Sequence, residues 1–443
     1  MGSGPADIRF DAHPVNPYLN RMNKLIEQIM KRIVASAKRK FPLSGLAKGI
    51  SRNGVLALAF LIPFLASGQE ISQAAPVVSP ELAANNSVTF RISAPQAAEV
   101  LLTGNWMPTA PTPEGGFAQE MTPLEKGQDG IWTVTVPAME PELYAYAFMV
   151  DGVRTLDPAN KNIVRDGRFS TASVLYVPGE ASDLYWAKTG PKGSVHQVWY
   201  ESPTLGLTRR MFVYTPPGYA ESNENFPVLY LLHGGGGDEE AWPTLGAAQN
   251  ILDNLINAGE AKPMLVVMTN GNPEQAAAFT VSPKLDTEAQ GIGGMASMLF
   301  EKSLVSDVIP YIEANYQVKT GKENRALTGL SMGGLQTMNT TFENPGMFDY
   351  IGVMSMGFAD LSRFGIEIDH SKREQQIKAL AAADPELYWI ACGKDDFLYE
   401  SVVTMREKLD ELDFDYVYRE SPGGHTWTNW RIYLSEFAPM LFN

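Results

Sequence analysis

The chain has 443 residues, 44% hydrophobic and 19% charged, and a net charge of −15. That length allows two or three domains with sizeable cores, and so acidic a protein argues against nucleic acid as a partner. A single cysteine excludes an intrachain disulfide and any multi-cysteine zinc or iron–sulfur centre.

The charge is unevenly spread. Residues 1–68 carry ten Lys/Arg against three Asp/Glu, a balance of +7, which leaves −22 on the remainder. "GVLALAFLIPFLA" (Gly54–Ala66) is an apolar run behind a basic stretch from Lys31 to Arg52, and Ala66 and Gly68 offer small residues to a signal peptidase. This is the layout of an export signal with a long basic leader, cut near Gly68. A retained membrane anchor needs roughly 18 or more apolar residues, and Pro63 interrupts even this shorter run. No cysteine follows the run for lipid attachment, so no stable membrane insertion is expected after cleavage. Met1–Arg21 adds nothing recognisable as targeting, which makes Met22 an alternative start.

Residues 69–178 read as strands. "SVTFRISA", "EVLLTGNW", "GIWTVTVPA", "LYAYAFMVDG" and "ASVLYVPG" alternate apolar and polar residues between short Gly, Pro and Asp turns, the signature of a small β-sandwich. Trp106, Trp132, Tyr144 and Tyr146 could form a sugar-stacking platform; filling the sandwich core is the commoner use of such rings. "GEASDLYWAKTGPKGS" (179–194) has the composition of a linker.

From residue 195 to 443 the rhythm changes. Continuous apolar runs ("PVLYLLH", "PMLVVMTNG", "RALTGLS", "YIGVMSMG", "LYWIACG") alternate with amphipathic helical patterns such as "SVVTMREKLDELD". Buried strands alternating with helices predict an α/β architecture, a mostly parallel sheet covered on both faces. In such sheets chemistry collects where strands end.

Two motifs sit at predicted strand ends. "ALTGLSMGG" places Ser331 between Gly329 and Gly333, after a strand and before a helix. This is the nucleophile-elbow pattern, in which the backbone N–H of the next residue, Met332, faces a developing oxyanion. "LLHGGGGDEEAW" (Leu231–Trp242) follows another strand, and its glycines leave backbone N–H groups uncovered. A phosphate cradle is the rival there, but no Lys-Ser/Thr follows the glycines. His233 is expected to brace this loop rather than act on substrate. "GIGGMA" (Gly291–Ala296) matches a dinucleotide fingerprint on paper; no strand precedes it, so it reads as a loop.

A serine hydroxyl needs a base. Of His13, His196, His233, His370 and His425, only the last follows the final strand through a Gly-rich loop, in "ESPGGHTWTNW". That is the place of the base in the order Ser…Asp…His. The acid falls between them in "LYWIACGKDDF", where Asp395 and Asp396 both stand in the turn after a strand, and strand-end logic alone does not choose between them. Cys392 lies inside that strand and reads as a small core residue. A metal site on the paired aspartates is the weaker reading, because no further ligand stands at metal spacing.

These motifs resemble carbohydrate esterase family 1, the feruloyl and acetylxylan esterases of the esterase D-like α/β-hydrolases. The carriers are "LLHGGGGDEEAW", "VVMTNGNP", "TGLSMGG", "CGKDDF" and "GGHTWTNW". The sandwich resembles a family 48 carbohydrate-binding, early-set module through "VTFRISAPQAAEVLLTGNW", "YAYAFMVDG" and "TLDPANK". The pairing is similar to secreted feruloyl esterases of gut and rumen Bacteroidetes. The resemblance implies Ser331 as nucleophile, His425 as base and Asp396, last residue of a Gly-x-x-Asp turn, as acid. It implies Met332 and Gly235 N–H groups as the oxyanion hole, with no metal and no cofactor. Trp427 and Trp430 are candidates to line the acyl site, with a core role as the alternative.

The implied activity is hydrolysis of feruloyl esters on plant cell-wall arabinoxylan by an exported enzyme. Alternatives are an acetylxylan or short-chain esterase, transfer of an acyl group to a sugar, as in the related mycolyltransferases, and a glycan-binding protein with a vestigial hydrolase half.

Overall fold

The computed structural model describes residues 77–111, 117–166, 170–278, 297–359 and 369–443. The basic leader and the "GIGGMA" segment lie outside the described residues. Residues 81–177 form antiparallel sheets. One runs Glu81–Leu82, Val88–Ser93, Ile131–Val136, Glu125–Lys126; a second is ordered Ile163–Asp166, Ser170–Val177, Glu142–Val150, Val100–Gly104, Thr122–Pro123, with Val153–Thr155 paired to Glu142–Val150; and Thr109–Pro111 pairs with Phe117–Gln119 in a third. Along Val88–Ser93 buried and partly exposed residues alternate, so a period-2 sequence gives one core face. Val88, Phe90, Leu102, Trp132, Tyr146 and Phe148 share that core. The Trp132 indole donates to the Ala94 carbonyl at 2.9 Å, and Trp106 and Tyr144 meet edge to face at 5.5 Å. The four aromatic residues weighed as a sugar platform therefore pack into or against the sandwich interior.

The large sheet has eight strands: β1 (Ser194–Ser202), β2 (Leu207–Thr215), β3 (Val228–Leu232), β4 (Leu265–Thr269), β5 (Arg325–Leu330), β6 (Tyr350–Met354), β7 (Leu387–Gly393) and β8 (Val417–Ser421). Their spatial order is β1-β2-β4-β3-β5-β6-β7-β8. β2 runs antiparallel to both β1 and β4, and all other neighbours are parallel. Every residue of β3, β4 and β6 is buried, as expected when helices cover both faces. Each fully buried large apolar side chain there contributes about 1.5–3 kcal/mol. The crossovers return every parallel strand in one direction, so the ends of β3, β4, β5, β6, β7 and β8 fall along one edge.

The segment 179–194, expected as a linker, is fastened to the hydrolase along 179–193, and Ser194 already opens β1. Tyr185 is buried, and Asn254 donates to the Leu184 and Trp186 carbonyls at 3.0 and 2.9 Å. Gly193 N–H donates to Asp253 at 2.8 Å. The helix Ala248–Ala258 thus supplies partners that the connecting backbone needs. A second tie is the buried pair Glu142–Arg431 at 2.7 Å, between the sandwich and the helix Trp427–Phe437. Among the described residues, no helix is long and apolar enough to cross a membrane.

Candidate active site

Ser331 stands between β5 and the helix Met332–Glu343 with φ 52° and ψ −115°. Non-glycine residues avoid that region, and the strain is held only where the surroundings fix the chain. Here they do. Ser331 N–H donates to the Met354 carbonyl at the end of β6 (2.8 Å), and its own carbonyl accepts from Leu335 N–H (3.0 Å). The flanking glycines answer to contact: a Cβ on Gly329 would meet Gly333 backbone at 2.5 Å, and one on Gly333 would meet the His233 carbonyl at 2.6 Å. The serine is therefore presented at a helix N-terminus, with Met332 N–H next in line.

The loop after β3 passes over this elbow. A Cβ on Gly234 would lie 3.3 Å from the Ser331 Cβ, whereas Gly235 beside it has open space. His233 is buried, and burial lowers its pKa, the Gly234 carbonyl bond opposing. Its Nε2 accepts from Gly271 N–H at 2.8 Å, so the proton sits on Nδ1 and is donated to the Gly234 carbonyl at 2.7 Å. A neutral imidazole thereby joins the ends of β3 and β4, the bracing role expected of it. Gln336 adds a third tie by donating to the Gly271 carbonyl at 2.8 Å.

Across the edge, His425 Nδ1 lies 3.0 Å from both carboxylate oxygens of Asp396. A carboxylate only accepts, so Nδ1 carries the proton and Nε2 is left as the acceptor. Asp396 is buried and also accepts Leu398 N–H at 2.9 Å. Asp395 is exposed and its N–H is used by the Gly423 carbonyl at 3.0 Å. The geometry separates the two acids that strand-end position left equivalent. Cys392 is wholly buried, and burial first, then the charge of Asp396, pushes its thiol up to about 12. Such a thiol is not a nucleophile near neutral pH.

The two sides are joined by Trp430. Its ring meets His425 edge-on at 5.0 Å, and its indole donates to Ser355 Oγ at 3.0 Å. Ser355 directly follows Met354, the residue that holds Ser331. Trp427 packs edge-on against Trp430 (5.2 Å) and Trp242 (5.3 Å) and against the cluster of Val164, Ala172 and Leu245. Both tryptophans thus buttress the histidine side from behind. Phe397, well exposed and 4.4 Å from the His425 ring, is the aromatic residue at its outer face. Among the described residues there is no group of His, Cys, Asp and Glu able to hold a metal ion.

Sequence reasoning passed over three features. Ser355 takes φ 51° and donates its N–H to the Ala391 carbonyl at 2.7 Å. Trp186 is half exposed and stacks on Tyr176 at 4.8 Å, beside a cleft of about 320 Å³ that Lys161, Asn162, Thr244 and Asn250 help to line at the sandwich–hydrolase junction. Lastly, the acidic run Asp238-Glu239-Glu240 is neutralised by Arg210 from β2 and Arg165 from the sandwich. The run of three acids after the glycines was the available signal, since buried carboxylates need partners.

Comparison with known proteins places the chain by family and by fold. The family model for a putative esterase matches residues 202–441, more than half of the chain. The endo-1,4-β-xylanase/feruloyl esterase of Xylanibacter ruminicola is 32% identical over 80% of this chain and 44% of its own length. Endo-1,4-β-xylanase Y of Acetivibrio thermocellus is 24% identical over 61% of this chain and 25% of its own. The chain thus spans less than half the length of either. Among solved structures, the enterobactin esterase of Shigella flexneri aligns over 80% of this chain and 92% of its own, with TM-score 0.58 and 15% identity, a likeness of fold.

Proposed function

The chain belongs to the esterase family, and from that premise we propose that it is a serine esterase releasing ferulic or related hydroxycinnamic acids from arabinoxylan. The observation that carries the reading is that a strained Ser331 at a helix N-terminus and a His425 oriented by buried Asp396 both follow strands that end along one sheet edge. The feruloyl preference draws on the xylanase/feruloyl esterase relative.

In this mechanism Ser331 Oγ attacks the ester carbonyl as its proton passes to His425 Nε2. Asp396 keeps Nδ1 protonated and stabilises the imidazolium. The oxyanion is met by the N–H groups of Met332 and Gly235. Collapse expels the sugar hydroxyl, which takes the proton from His425, and leaves Ser331 acylated. Water then gives its proton to His425 and its oxygen to the acyl carbon, and the acyl–Oγ bond breaks as His425 returns that proton to Ser331, freeing the acid and the serine. Atoms balance with water alone, so no cofactor enters.

Ser331→Ala should lower kcat on methyl ferulate by at least about 10³-fold in folded protein; near-native turnover would sink the reading. A panel of methyl ferulate, methyl p-coumarate, 4-nitrophenyl acetate and acetylated xylan ranks the acyl groups by kcat/KM. Preference for acetyl esters would replace the feruloyl reading with an acetylxylan esterase. The polysaccharide is assigned to the junction cleft, where Trp186 offers an exposed ring for sugar stacking. Trp186→Ala in the Ser331→Ala background should weaken retention on arabinoxylan, and unchanged retention would remove the cleft from the proposal. Residues 1–68 supply an export signal, so exported protein should begin near Gln69 on N-terminal sequencing.

A further inference from the structure

We infer that Arg165 of the sandwich is a positioning residue for the loop over Ser331, so that the sandwich governs turnover as well as any glycan contact. The inference rests on Ser331 being the nucleophile. The loop after β3 ends in three consecutive carboxylates, Asp238, Glu239 and Glu240, the first two almost wholly buried. Buried carboxylates persist as charges only beside cations or donors. Arg210 on β2 takes Glu239 through Nε and Glu240 through Nη2, both at 2.6 Å. Arg165, on the sandwich strand Ile163–Asp166, pairs with Asp238 and reaches Glu240 at 3.4 Å. One of the two arginines that neutralise a loop of the hydrolase therefore comes from the other module.

The two buried carboxylates, Asp238 and Glu239, also set backbone. Asp238 accepts Glu240 N–H at 3.0 Å, holding the turn into the helix Ala241–Thr244. Glu239 accepts from Asn270 and from Ala278 N–H, both at 2.9 Å. Upstream, Gly237 N–H closes on the Gly234 carbonyl at 3.1 Å, and Gly234 touches the elbow. The path of Gly234 and Gly235 is thus pinned at one end by His233 and at the other by Asp238, and Asp238 by Arg165. The same hairpin packs Val164 and Ala172 on Leu245 and Trp427, next to the tryptophan that supports His425. Loop N–H groups act fully only when they stand about 2.7–3.1 Å from the oxyanion and are held within about 0.5 Å of that geometry. Loss of the Arg165 fork should therefore be felt in the transition state more than in substrate binding.

The test uses the full chain and methyl ferulate, which carries no glycan, so polysaccharide contact cannot enter. Arg165→Ala should lower kcat of the folded fraction at least about tenfold, with KM within about twofold and a melting transition that stays cooperative but moves to lower temperature, because buried Asp238 loses its cation. Arg165→Lys, which keeps the charge but loses the fork, should regain about threefold or more. Combined with Asp238→Asn, Arg165→Ala should cost little beyond either change alone, because both break one contact. A kcat within twofold of the parent, or losses that multiply in the double variant, would overturn the inference. If Arg165→Ala does not fold, Arg165→Lys decides alone: an intermediate kcat supports the role and a parental kcat rejects it. Ser331→Ala run beside these separates the premise, since parental turnover that survives in it refutes the nucleophile and this inference together.

Discussion

Along Val88–Ser93 of the sandwich, alternate residues face a shared core and the others face outward, whereas β3, β4 and β6 of the large sheet are buried at every position. The contrast decides where polar residues can stand. A one-sided antiparallel strand places them along its length, each satisfied locally, as Thr89 and Thr135 pair across strands at 3.0 Å. A strand buried on both faces excludes them until it ends. His233, Asn270, Ser331, Ser355 and Asp396 accordingly follow the ends of β3, β4, β5, β6 and β7, and His425 follows β8. The sandwich influences that row only through side chains reaching out of it. Changes to Ser331, Asp396 and His425 at the large sheet's edge should therefore cost rate, whereas a sandwich contact that does not reach the loop over Ser331, such as Glu142–Arg431, should cost stability.

The largest expected effect sharpens the edge itself. Asp396→Asn should reduce kcat by about 10³–10⁴-fold, because an amide can donate to Nδ1 and stabilise the wrong imidazole tautomer. Asp395→Asn, changing an exposed side chain in the same turn, should leave kcat within about threefold. Measuring both on methyl ferulate at equal folded fraction tests the assignment; a greater loss at Asp395 would break it.

The next effect belongs to the junction. Glu142→Gln leaves the Arg431 guanidinium, almost wholly buried, without its counter-charge. Breaking a buried pair from one side typically costs about 3–5 kcal/mol, here nearer the lower figure because an acceptor oxygen remains. Urea unfolding should report that loss while kcat of the folded fraction stays within about threefold. A large drop in kcat with unchanged stability would show that the contrast between the two regions is drawn in the wrong place.

Much of this was legible in the chain. The change of period from alternating to continuous apolar runs located both architectures, and the Gly-x-Ser-x-Gly context located Ser331, because steric demands at an elbow are local. Asp396 against Asp395 was not legible from strand ends, since both lie in one turn and only the packed structure buries one and exposes the other. Trp427 and Trp430 carried two readings, lining or core, because an aromatic next to a histidine loop looks alike in sequence; the structure buries Trp430 and leaves Trp427 partly exposed. The Arg165 tie joins residues about 70 positions apart in sequence, a pairing that no local pattern encodes. Residues 179–194 read as a linker because composition reports turn chemistry and says nothing of which helix will supply the hydrogen bonds.

The smallest effect concerns the two histidines at the edge. His425 is partly open, and His233 is sealed with both nitrogens used. Protonating Nε2 of His233 would set an N–H against the N–H of Gly271, so the folded state holds this imidazole neutral and its pKa below the usual 6.5. The unfolded chain binds that proton more readily. Stability from His233 is thus fully present above about pH 6.5 and is lost as pH falls toward the lower folded value. The loss from this one group approaches about 1.4 kcal/mol per pH unit in that window. His233→Gln should be less stable than the parent at pH 7.5, and the gap should narrow at pH 5.5 in urea unfolding. A gap that stays constant between those pH values would mean that His233 is not held neutral, and the tie between β3 and β4 would then need another explanation.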